Sequence, residues 1–63
     1  MEVQRYRFYQ SKKTKKLYFV MTSGLINSNK EKIIIFADGL TGESYIRTEQ
    51  EFLDNFELYN GKI

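Results

Sequence analysis

Residues 45–59 read YIRTEQEFLDNFELY, and a change of period inside this stretch decides the fold. Tyr45–Arg47 reads as a short strand. Thr48-Glu49-Gln50-Glu51 then fits the S/T-x-x-E capping box, with Thr48 as N-cap and Glu51 at the third helical position. The acidic first turn suits the positive end of a helix dipole. Phe52 and Phe56 stand four apart and share a helix face. A helix of one or two turns is therefore expected near residues 49–55. Phe56–Tyr59 alternates again and is expected to form a strand.

Upstream, the pattern is extended throughout. Val3–Gln10 alternates, with Tyr6 and Phe8 on one face and Arg5, Arg7 and Tyr9 on the other. Ser11–Lys16, SKKTKK, is a polar turn. Leu17–Thr22 is apolar on both faces, which suits a central strand. Ser23-Gly24 can bend or bulge it, and Leu25 and Ile26 carry it on. Asn27–Lys30 is turn chemistry, since Asn tolerates the left-handed region. Ile33–Ala37 is the strongest strand signal. Asp38-Gly39 and Thr41-Gly42 mark a turn, with Leu40 as its expected anchor.

The order is four strands, a short helix and a short fifth strand. An all-β fold is expected: a five-stranded SH3-like barrel or a strongly bent antiparallel sheet, with the helix before the last strand. The oligonucleotide-binding barrel fits less well, because it usually needs a longer chain and places its helix between the third and fourth strands.

Composition narrows the function classes. The chain has 63 residues, enough for one domain spanning residues 1–63 and too few for most layered enzymes. It contains no Cys, so no disulfide or thiolate metal site staples it. It contains no His, the commonest general base and metal ligand. Stability must come from packing, and five Phe with five Tyr supply the area. Oligomerisation is the other form of help open to so short a chain. The opening MEVQRYRFYQ lacks the apolar region of a signal peptide, and the longest apolar run, Ile33–Ala37, cannot span a bilayer. A soluble cytoplasmic protein without membrane contact is expected.

Charge is divided along the chain. Residues 1–32 carry eight bases against Glu2 and Glu31, a balance of +6. Residues 33–63 carry Arg47 and Lys62 against six carboxylates, a balance of −4. A bipolar surface argues less for nucleic acid than the pI of about 9.0 suggests.

Tyr6-Arg7-Phe8-Tyr9, Leu17-Tyr18-Phe19-Val20 and Leu40–Arg47, LTGESYIR, together resemble a family of short bacterial and phage proteins of unknown function. That family's pattern opens Y-R-H-[YF]-K and closes L-x-G-E-x-[WY]-V-R-P-L-E-M-F. Here Phe8 stands where His is usual, Thr48 where Pro is usual and Glu49 where Leu is usual. The resemblance implies a small β-barrel and a phage or mobile-element origin, and it implies no activity.

Three features are candidate binding elements. Lys12, Lys13, Lys15 and Lys16 could bind phosphate, joined by Arg5 and Arg7 and with Tyr9 and Tyr18 as stacking platforms. The plainer reading is a solvated turn whose like charges discourage edge-to-edge pairing. Tyr9, Tyr18, Tyr45 and Tyr59 could form an aromatic groove, against a plainer reading as core filling. Arg47 could anchor an anionic partner, against a plainer pairing with Glu43 or Glu49. The carboxylates lack calcium-loop spacing, and no nucleophile is marked. The expected function is a non-enzymatic protein-interaction module without cofactor or metal, and a phage-encoded accessory protein acting on a host protein would be one form of it. A nucleic-acid-binding barrel using the basic first half is the alternative.

Overall fold

Asp38 closes the turn that the two Gly-containing pairs announce. Its Oδ1 accepts from the N–H groups of Leu40 at 2.7 Å and Thr41 at 3.2 Å. Gly42 N–H donates to the Asp38 carbonyl, and Asp38 N–H donates to the Glu43 carbonyl at 2.8 Å. Gly42, at φ 76°, fills the left-handed bulge position that this hairpin requires. The lysine turn repeats the device. Lys15 N–H donates to the Ser11 carbonyl and Ser11 N–H to the Lys16 carbonyl, with Lys15 itself at φ 66°. In the middle turn the left-handed residue is Lys30, at φ 61°, and not an Asn. Asn27 serves differently: its Oδ1 accepts from the N–H groups of Asn29 and Glu31, both at 2.9 Å.

The computed structural model describes residues 3–61. These turns join β1 (Phe8–Ser11), β2 (Leu17–Ile26), β3 (Lys32–Asp38) and β4 (Ser44–Thr48), followed by α1 (Glu49–Asn55) and β5 (Phe56–Leu58). All strands form one antiparallel sheet in the order β4-β3-β2-β1-β5, with β2 central as its two apolar faces imply. The fold is all-β with one short helix. The edge strands β4 and β5 do not pair, so the barrel is open.

The sheet is nevertheless strongly bent. In a flat sheet, strands two apart lie about 10 Å from each other. The rings of Tyr45 on β4 and Phe56 on β5 stand 6.2 Å and 5.1 Å from the ring of Tyr18 on β2. Register shifts between Val20 and Thr22 and between Thr22 and Leu25 supply curvature, with Gly24 at φ 82° beside them. The core sits on the concave face and comprises Val3, Tyr9, Val20, Ile34, Phe36 and Phe52.

Helix α1 covers this core at the open side. Both halves of the capping box form: Thr48 Oγ1 accepts from Glu51 N–H at 3.2 Å, and Glu51 Oε1 accepts from Thr48 N–H at 3.4 Å. Phe52 is fully buried, 4.6 Å from the ring of Phe56, 4.9 Å from Phe36 and 5.1 Å from Tyr9.

Two expectations are corrected. The first strand starts at Phe8 and not at Val3, because Tyr6 takes φ 59° and breaks the extended run. Tyr9 enters the core, while Tyr6 is 69% exposed and lies with Phe8 beside Phe19 on the other side of the sheet. Leu40 is no anchor, being 92% exposed. The Asp38 carboxylate and the Gly42 bulge close the turn without it.

Candidate binding groove

Tyr18 and Tyr45 occupy the concave face and extend the core toward solvent. Pairing of Phe36 with Tyr45 and of Ile34 with Arg47 puts Tyr45 and Arg47 on that same face. Tyr18 packs edge-on against Phe36 at 5.8 Å, and Tyr45 stacks on Phe36 at 5.6 Å with the planes 28° apart. Phe56 completes the cluster 5.2 Å from Phe36. The rings form the floor of a groove of about 620 Å³ at the open side of the sheet.

All five strands, α1 and the lysine turn contribute to its lining. Lys12 and Lys13 come from the turn, Arg47 from β4, and Asp54 and Asn55 from the end of α1. Lys12 Nζ donates to the Leu53 carbonyl at 3.1 Å, and Lys12 N–H donates to the Asn55 carbonyl at 2.9 Å. The cation thus meets the negative end of the helix and ties the turn to it. The Asp54 carboxylate accepts from Gln50 Nε2 at 3.0 Å, one helical turn away. The groove thus sets three cations against one carboxylate.

Arg47 does not pair with Glu43 or Glu49 as expected. Its Nη1 donates to the Ile46 carbonyl at 2.7 Å, and its guanidinium lies 5.9 Å from the Tyr45 ring centroid. An arginine on an aromatic face keeps its charge exposed while covering the ring. Burial pushes the Tyr45 phenol above the usual tyrosine range, and the nearby Glu43 carboxylate adds to the effect.

The other expected site residues lie elsewhere. Tyr9 is 4% exposed, and its hydroxyl accepts from Gln4 N–H at 3.0 Å, so it is no stacking platform. Arg5 and Arg7 precede β1, at the opposite end of that strand from the lysine turn. Arg5 Nη2 donates to the Ser23 carbonyl at 3.2 Å, and Arg7 Nη1 donates to Gln4 Oε1 at 2.9 Å. They form no single basic surface with the lysines. Lys15 pairs with Glu57 at 3.8 Å across exposed side chains, and Lys16 is exposed. Tyr59 is half-buried and does not line the groove.

The groove therefore unites Lys12, Lys13, Tyr18 and Arg47 from the expected set. It adds Phe36 and Phe56, which read in the sequence as core alone. Phe56 carried one usable signal: it is the boundary residue where helix becomes strand, so its side chain must turn at the edge of the core.

Among the described residues no group of three or more metal-ligating side chains occurs, and no helix is long and apolar enough to cross a membrane. The chain matches no protein-family model, no curated protein and no solved structure.

Proposed function

We propose that this protein is a non-enzymatic interaction module that holds a segment of a partner protein in the groove between the lysine turn and β4. The observation that carries this reading is the aromatic floor of Tyr18, Tyr45 and Phe56 beside Lys12, Lys13 and Arg47. Such a floor offers apolar area, and the cations at the rim select what lies across it. The resemblance to short phage and bacterial proteins makes a phage-encoded accessory protein acting on a host protein the natural setting.

Nucleic acid is the second reading, since cations beside aromatic rings also suit single strands. The ring geometry argues against it. Tyr45 stacks on Phe36 and carries the Arg47 guanidinium over its ring, so its faces are already engaged and not open to a base.

Immobilised protein exposed to bacterial lysate separates the two. The interaction reading expects a protein retained after nuclease treatment and lost when Lys13→Glu and Arg47→Glu are combined. Retention that vanishes with nuclease, or that ignores the double variant, refutes it. For the nucleic-acid reading, replacing Lys12, Lys13, Lys15 and Lys16 by Ala should lower the salt slope by about one unit per lost phosphate contact.

A further inference from the structure

Among the described residues β4 is an edge strand with no neighbour on its outer side, and its hydrogen-bonding phase follows from the turn before it. Asp38 N–H donates to the Glu43 carbonyl, so this pair is a hydrogen-bonded one. In an antiparallel ladder such pairs alternate with non-bonded ones. With Ala37 opposite Ser44 and Phe36 opposite Tyr45, the backbone of Tyr45 and Arg47 bonds to β3. The N–H and C=O groups of Ser44, Ile46 and Thr48 point the other way, to the free edge. Two contacts agree with this phase: Thr48 N–H is taken by the Glu51 carboxylate, and the Ile46 carbonyl is taken by the Arg47 guanidinium.

We propose that β4 accepts an extended peptide with alternating acidic and apolar residues, which pairs with Ser44 and Ile46 and turns its carboxylates toward Arg47, Lys12 and Lys13. This rests on the reading of the chain as a protein-binding module and names the chemistry of its partner. Strand addition supplies main-chain bonds, and side chains alternate between the two faces. On the groove face the strand meets three cations and one carboxylate, so acidic residues fit there. On the convex face it lies beside Ile46, which is 57% exposed and stands opposite Ile35 in the sheet, so apolar residues fit there. The Arg47 guanidinium at the edge blunts self-pairing of the free protein and can pass to an arriving carboxylate. A free backbone edge is matched by a peptide and has no counterpart in a nucleic acid. β5, with three residues, is the poorer edge.

The test is amide hydrogen exchange of the full chain, followed by NMR, with a short capped peptide alternating Glu and Val. Saturating peptide should slow exchange at Ile46 and Ser44 by about tenfold or more, and leave Tyr45 and Arg47, already bonded to β3, unchanged. The same peptide with Lys in place of Glu, or with N-methylated Val, should give no protection. An Ile46→Pro variant should lose the response while keeping its fold, because proline is tolerated on an open edge. Peptide binding that perturbs the groove rings without protecting Ile46 overturns strand addition and leaves the module reading intact. Protection of Ile46 that rises with protein concentration alone overturns it in favour of a second copy. Binding of oligothymidine with no peptide binding overturns both this proposal and the module reading.

Discussion

Replacing Phe52 by leucine tests whether α1 closes the open side of the sheet in solution. The Phe52 side chain is fully buried, with three rings within 5.1 Å. Leucine retains most of the volume, and such swaps alone cost under about 1.5 kcal/mol. The lost ring pairs add about 0.5–1.5 kcal/mol each, with partial overlap among them. A total of about 2–4 kcal/mol follows, against about 3–9 kcal/mol for a domain of this length. A loss of 2 kcal/mol corresponds to a Tm decrease of about 8–16 °C in so small a domain. Alanine, at about 3–5 kcal/mol, should leave much of the chain unfolded. The chain has no Trp, so the assay is thermal melting by far-UV circular dichroism, with the near-UV tyrosine band reporting on ring packing. A Tm decrease under about 4 °C for Phe52→Leu would refute the packed helix.

Other perturbations probe the turns, the cap and the titrating groups. Thr48→Ala removes the acceptor for Glu51 N–H and the anchor of the capping box, and should cost about 1 kcal/mol in a urea melt. Lys30→Gly should raise stability by about 0.5–1 kcal/mol by relieving a left-handed lysine, whereas Gly42→Ala should lower it by about 1 kcal/mol. The N–H groups of Leu40 and then Thr41 hold the Asp38 carboxyl below the usual carboxylate range. Its folded-state pKa is depressed, so its contribution is present above the unfolded value of about 4 and is lost as pH falls through the folded one. Asp38→Asn should flatten the acid limb of a Tm–pH profile. The Tyr45 phenol shifts upward, so its contribution is whole below about pH 10 and is lost as pH rises through the folded value. Phenolate absorbance should show one tyrosine ionising late, and Tyr45→Phe should remove that component.

The element order was legible in the sequence because each signal for it is local. A capping box needs four residues, a bulged turn needs its Asp and Gly, and β-branched residues mark β3. The helix at Glu49–Asn55, the turn at Asp38–Gly42 and the bend at Ser23-Gly24 all stand where their own chemistry puts them. The first strand was misread where a single backbone angle intervened. Nothing in Val3–Gln10 announces that Tyr6 turns left-handed and ends the extended run, nor that the face of Tyr9, and not that of Tyr6 and Phe8, meets the core.

By itself, then, the sequence determined an all-β chain with one capped helix, no histidine or cysteine chemistry, and enough aromatic area to hold a small core. Only the tertiary structure decided that the barrel stays open and that Lys12, Tyr18, Arg47 and Phe56 meet across it. It also decided that Arg47 turns to the Ile46 carbonyl and not to a carboxylate. The reason is range: turns and caps are set by neighbours a few bonds apart, while a groove is assembled by the curvature of a whole sheet. That curvature is the sum of bulges, ring packing and one docked helix, and no short window of residues contains it.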